Sequence, residues 1–242
     1  MIKGTEFHLE YLKQLNRINS NWGKSVSVAA RDSYFNQAKD IVFENLFAVS
    51  EKNTTVRNHL RDFEMKRKKI SCKRKSDTMS YFEYPDNFYR LLRQDAYMHT
   101  DYCSTVREVT VTTVQTDDLP EILRDPHQDP SFEWRETVGE EGSEGYYIYT
   151  KEGYHVEYVL IDYMRKPKNI YTFSLIDCEG GAYINSRGEE ITEDQDFESD
   201  STYLWRKIVD VAIVYTLRDL GQIDDFSAKM QEILFLDKVY LK

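Results

Sequence analysis

At Cys103 the chain changes its hydrophobic period, and near Ser201 it changes back. Upstream, apolar residues recur every three or four positions. From Cys103 the segment CSTVREVTVTTVQT is β-branched, and Val109, Val111 and Thr113 share one face, as a strand requires. From Ser201 or Thr202 the helical period returns, with Leu204, Ile208, Val211, Ala212 and Tyr215 on one side. A chain of helices, then strands, then helices segregates its elements, which is the α+β class. The expected architecture is an N-terminal helical bundle, a central antiparallel β-domain and C-terminal helices that return to the bundle. The corresponding segments are residues 1–100, 101–200 and 201–242.

Within the first segment a helix is expected over residues 5–22, through Phe7, Tyr11, Leu15, Ile18 and Trp22, with Asn21 and Gly23 ending it. A second starts near Ser27 and carries Tyr34, Ala38, Ile41, Phe43 and Leu46. A third begins at Thr54 or Thr55 and runs through Val56, Leu60, Phe63 and Ile70 into a basic tract, residues 66–75. Pro85-Asp86 then caps a short helix through Phe88, Leu91 and Leu92. In the second segment Asp117-Asp118-Leu-Pro opens a helical turn, and two Asp-Pro steps at Pro126 and Pro130 impose an irregular loop. Strands are expected near 132–138, 146–150, 154–164 and 170–177, arranged as a meander with glycine turns. Residues 188–200 read as an acidic loop. The helix after Ser201 is apolar over most of its circumference, so it belongs at the centre of a core or under cover on two sides.

Three cysteines, far apart and odd in number, argue against a disulfide framework and for a reducing compartment during folding. The N-terminus lacks the apolar run of a secretion signal, and no segment approaches the ~18 uninterrupted apolar residues of a membrane span. A chain made in the cytoplasm, with no membrane partner, is the expectation.

Chemical motifs are weak. Gly23-Lys24-Ser25 copies the tail of a phosphate loop, but Ile18 stands where the first glycine is needed, and a helix precedes it where a strand is required. His8, His59, His99, His127 and His155 are isolated in sequence, with no zinc-ligand spacing. Asp177-Cys178-Glu179-Gly-Gly lacks the alternating oxygen ligands of a calcium loop. No serine or cysteine sits in a glycine-flanked nucleophile turn. The reading is a protein with no catalytic, metal or cofactor site.

Charge is the strongest signal. The net −10 divides into +7 over residues 1–78 (16 Lys+Arg, 9 Asp+Glu) and −17 over residues 79–242 (16 against 33). The tract KRKKISCKRK holds seven cations in ten residues: Lys66, Arg67, Lys68, Lys69, Lys73, Arg74 and Lys75. Such a tract neutralises either phosphates, as a nucleic-acid-binding module, or an acidic protein surface, including another copy of the chain. A second knot, Arg165, Lys166 and Lys168 around Pro167, ends the strand YVLIDYMR. It serves as an interface or as the charged stop of a strand.

The second knot also closes a longer arrangement. A β-branched strand ends at Val114 and leads through Gln115-Thr116-Asp117-Asp118 and a helical turn to Arg124-Asp125-Pro126. Pro130 and a connecting strand follow, and a last strand ends Tyr163-Met-Arg-Lys-Pro-Lys-Asn-Ile170. This arrangement resembles the head–tail adaptor (ring, or stabilisation) proteins of crAss-like short-tailed bacteriophages. There a similar acidic turn precedes an Asn-Pro-Phe-like step, and a tyrosine-containing strand ends in Arg-Lys-Pro before an isoleucine. The opening Asn16-Arg-Ile-Asn-Ser-Asn-Trp22, the Ser50-Glu51 step and the closing helix Leu204 to Leu220 also resemble that family, although the sharp part is about residues 110–170. Asp125-Pro126-His127 departs from the Asn-Pro-Phe-like step, and the loops 139–153 and 180–200 are more acidic than in the family.

The resemblance implies a non-enzymatic virion protein of the phage neck, similar to the tail-tube adaptors of other short-tailed phages. It implies a twelve-fold ring beneath the portal, with portal, tail and other ring proteins as partners. Double-stranded DNA would touch it transiently in the channel. The basic residues of both knots would then serve subunit or partner contacts.

Overall fold

Ser27, Asn53 and Ser201 each start a helix in the way their side chains allow, by accepting a backbone N–H of the first turn (Ala30, Thr55 and Leu204, respectively). The helices are α1 (Gly4–Ile18), α2 (Val28–Ser50), α3 (Thr54–Leu60), α4 (Leu119–Ile122), α5 (Phe173–Asp177), α6 (Thr202–Asp219) and α7 (Ile223–Tyr240). The strands are β1 (Glu64–Ser71), β2 (Lys73–Ser76), β3 (Met79–Glu83), β4 (Phe88–Thr100), β5 (Cys103–Thr113), β6 (Glu136–Glu141), β7 (Gly145–Tyr149), β8 (Tyr154–Arg165), β9 (Tyr183–Ile184) and β10 (Glu190–Ile191). This computed structural model describes residues 1–18, 26–100, 103–125, 127–143, 145–177, 183–185 and 188–240. Trp22, Gly23-Lys24-Ser25 and most of the 177–181 motif lie outside the described residues.

The class is α+β, with helices towards both ends of the sequence and the strands of a large sheet between them in chain order. The chain forms two compact units, one of residues Met1–Phe63 with Pro167–Lys242, the other of Glu64–Lys166. The expected segments 1–100, 101–200 and 201–242 cut elsewhere, because residues 64–100 are strands and the helical unit resumes at Pro167.

In the helical unit α6 packs against α1, α2 and α7, the central place its apolar circumference predicts. Phe7, Phe35, Phe63 and Phe197 form its aromatic core, edge to face at 5.5–5.6 Å around Phe7. Tyr11 bonds Thr216 across α1 and α6 at 2.6 Å, and burial pushes its phenol up to about 12.

The sheet unit runs β1-β8-β4-β5-β6-β7-β3-β2. Its two ends belong to one strand bent at Cys72, whose first half pairs with β8 and second half with β3. The sheet therefore curls around one core, with Phe82, Val111, Tyr146, Val159, Ile161 and Tyr163 inside. Every pair is antiparallel except β5 with β6. A parallel neighbour needs a long crossover, and the α4 turn with its Asp-Pro loop supplies it where a meander was expected.

Three local expectations fail for physical reasons. The basic tract is β1 and β2, not a helix end. Seven like charges on a helix crowd each other at i,i+3 and i,i+4, whereas a strand alternates its sides, and Ile70 and Cys72, two apart, both reach the core. Phe88–Leu92 is the start of β4. Shifts of register against β8 at Phe88/Arg90 and Leu91/Arg93 stretch the strand's inward spacing from two to three, which imitates a helix. Residues 170–177 are no strand: Tyr171 makes one bridge to Gln195 and α5 follows.

Candidate functional site

Extended backbone that pairs with no strand must find partners elsewhere. For the segment Pro167–Thr172 they come from one face of α2, where Asp32, Asn36 and Lys39 are spaced four and three apart. Lys39 is 2% exposed and donates to the carbonyls of Pro167 (3.3 Å) and Lys168 (3.2 Å) and to Asn169 Oδ1 (2.7 Å). Asn36 clasps Ile170 from both sides, donating to its carbonyl at 2.9 Å and accepting its N–H at 2.8 Å. Asp32, fully buried, accepts the Thr172 N–H and the Tyr183 hydroxyl, each at 2.8 Å, and lies 2.7 Å from His8 Nε2. Burial, then the Asp32 carboxylate, pushes the Tyr183 phenol well above its ordinary range. This clamp explains why the second basic knot stands where it does: past Arg165 the chain leaves the sheet and is seized by a helix.

The sequence reading missed Asp32, Asn36 and Lys39. In the sequence they are polar residues interleaved with the buried Phe35, Ala38 and Val42, a pattern that solvent-facing residues of a helix share. Their partners in Pro167–Thr172, however, lie more than 120 residues away.

The basic strand is the opposite kind of place. All seven of its cations are exposed. At its start a bulge puts Arg67 at φ +51°, and the Arg67 N–H donates to the Asp162 carboxylate at 2.6 Å. The Lys69 ammonium sits 3.7 Å from the centre of the Tyr158 ring, which stacks on Tyr97 at 4.5 Å. Tyr97 donates to Glu108 at 3.2 Å, so one polar row crosses β1, β8, β4 and β5. On β2, Lys73 meets Glu83 at 2.6 Å, Arg74 meets Asp77 at 3.1 Å, and Lys75 lies 4.9 Å from the Tyr81 ring centre. Lys73 holds the Glu83 carboxyl below its ordinary value. Lys66 lies 3.8 Å from Glu64. Burial pushes the Cys72 thiol up to about 12, which removes it as a nucleophile at neutral pH.

The two basic knots are only partly joined. Arg165 stands one residue past the Glu64–Met164 pair, beside the start of β1, and the Lys166 N–H donates to Asn87 at 2.8 Å. Lys73, Arg74 and Lys75 lie at the far end of the bent strand. Lys168 belongs to the helical unit and pairs with Glu198 at 3.2 Å.

The +7 and −17 halves of the sequence do not become two bodies. The sheet unit holds 15 Lys+Arg against 20 Asp+Glu and the helical unit 17 against 22, so each carries −5. The polarity survives inside the sheet unit. Residues 64–76 carry +6 (7 against 1), and residues 77–166 carry −11 (8 against 19).

Of the histidines, His8 is buried against Asp32, and His99 and His155 face each other on β4 and β8 with ring centres 5.2 Å apart. Among the described residues no three His, Cys, Asp or Glu side chains converge as a cation site, and no helix is long and apolar enough to cross a membrane. No protein-family model and no curated protein matches the chain.

Proposed function

We propose that this chain is a structural, non-enzymatic protein of a short-tailed phage neck: a ring-forming adaptor that links portal to tail and surrounds the DNA exit path. The observation that carries the reading is the electrical division of the sheet unit, a strand of +6 on a body of −11. A closed ring repeats one heterologous contact, so each subunit needs two unlike faces that fit each other. An acidic body also suits a channel wall, since attraction to phosphates would slow passing DNA. The sequence resemblance over residues 110–170 supplies the class of virion protein. Native mass measurement of the purified chain, alone and with portal-containing particles, tests the proposal. The expected result is an assembly of about a dozen copies, a number that rests on the resemblance. A chain that remains monomeric and never joins such particles overturns it.

One observation favours a second reading. Tyr97 and Tyr158, stacked beside Lys69, give the basic strand the aromatic interleaving of a single-stranded nucleic-acid platform. Replacing Lys68, Lys69, Lys73 and Arg74 by glutamine would then abolish retention of DNA at low salt. Wild-type protein that shows no retention removes this reading.

A further inference from the structure

The loop before β6 is built to hold one side chain out. Ser131 and Glu136 exchange two backbone hydrogen bonds, at 2.8 and 3.1 Å, and close the turn Phe132-Glu133-Trp134-Arg135. Ser131 Oγ accepts the Trp134 N–H at 3.2 Å, and Arg135 takes φ +60°. Phe132 anchors the turn by stacking on Tyr154 at 5.0 Å, with the Arg107 guanidinium 4.6 Å from its ring centre. Trp134, on this fixed turn, is 80% exposed. Ordered, exposed tryptophans of this kind are the anchors of protein interfaces.

Beside Trp134 lies a cleft of about 580 Å³ lined by the aromatic residues Trp134, Phe132 and Tyr154 and by the carboxylates of Asp129, Glu133 and Glu136. Aromatic rings and carboxylates in one cleft take alkyl-ammonium and guanidinium side chains, stem against ring and charge against acid. The chain already shows the charged half of this chemistry, because the Lys151 ammonium, in the lining of the cleft, lies 2.7 Å from Asp129. Glu133 and Glu136 remain exposed, and Arg135 is exposed on the same turn.

We propose that the Trp134 cleft of one copy receives the basic β1–β2 strand of a second copy, and that this is the contact repeated around the ring. The proposal rests on the ring reading and names its interface. Charge complementarity argues for the occupant: among the described residues β1–β2 is the longest exposed run of Lys and Arg side chains, and the cleft is lined by the carboxylates of Asp129, Glu133 and Glu136 against the single lysine Lys151. The two patches are different sets of residues, so the contact is head-to-tail and propagates instead of stopping at a dimer.

Two full-length variants test it. One carries Lys68→Glu, Lys69→Glu and Lys73→Glu with the cleft intact; the other carries Trp134→Ala and Glu133→Lys with the strand intact. Unfolding midpoints equal to wild type establish that both fold. In sedimentation at low salt, wild type is expected to assemble and each variant alone to assemble at least about tenfold more weakly. An equimolar mixture is expected to give a one-to-one dimer that grows no further, since only one good contact remains. If both variants assemble as wild type does, the ring reading stands and this interface is wrong. If both are weakened but their mixture gives no dimer, the pairing is wrong, because the two patches then meet other surfaces. If wild type neither assembles nor joins portal-containing particles, the ring reading falls and the interface with it.

Discussion

The α2 clamp and the β1–β2 strand are both polar and both use lysine, yet they spend charge in opposite ways. On α2 a single ammonium, Lys39, is withdrawn from water and donates to three oxygen acceptors, with the exposed Asp40 carboxylate a further 3.3 Å partner. On β1–β2 seven cations stay in water, and Lys73 and Arg74 meet their carboxylates at exposed, screened positions. Burying a charge is costly unless it is paired and hydrogen-bonded, so a buried lysine with three acceptors and a carboxylate partner is a structural commitment. Exposed ion pairs contribute little to stability, which leaves their cations available to a partner. The difference separates charge that holds the chain from charge that the chain offers.

The largest test of that separation compares one lysine from each place. Lys39→Met leaves the Pro167 and Lys168 carbonyls and the Asn169 side chain without their donor, and is expected to cost about 3 kcal/mol or more in urea unfolding. Lys69→Met, on the exposed strand, is expected to stay within about 0.5 kcal/mol. Equal costs at the two positions would erase the comparison.

Asn36→Ala comes next. It removes the two hydrogen bonds that hold Ile170, a residue with no exposure, and is expected to cost about 2 kcal/mol. Hydrogen exchange sharpens the result: the Ile170 amide should lose protection while amides of β8 keep theirs. Uniform loss along β8 would mean that the clamp is part of the sheet's own cooperativity.

The same contrast explains what the sequence could reveal. Helices α1, α2 and α6 and strands β5, β7 and β8 announce themselves, because each buries one periodic face against its immediate surroundings. The start of β4 was hidden by its own irregular register, which spaces Phe88 and Leu91 as a helix would. β1 and β2 were hidden because a strand whose visible residues are nearly all cations has only Ile70 and Cys72 to mark its period. The clamp was illegible for another reason. Nothing local distinguishes Asp32, Asn36 and Lys39 from solvent-facing residues until Pro167–Thr172 arrives from across the sequence. The exposed tract, in contrast, was found as a candidate from charge alone, because exposure preserves in space the clustering that the sequence shows. Trp134 carried no such cluster and passed unnoticed.

The smallest expected effect has the opposite sign and bears on why the strand keeps an arginine at its bulge. Arg67 holds φ +51°, a conformation that costs a residue with a side chain roughly 1 kcal/mol relative to glycine. The backbone bond to Asp162 needs only the N–H, so glycine retains it. Arg67→Gly is therefore expected to raise stability by about 0.5–1 kcal/mol, less than the full strain because glycine also gains freedom when unfolded. In the same variant, assembly at low salt should weaken, since one cation of the strand is gone. A variant that is more stable and assembles less well would show that this position trades stability for contact, the opposite of what Lys39 does. If Arg67→Gly is destabilising, its side chain holds the fold, and the line drawn between the two regions must move to place Arg67 with the clamp.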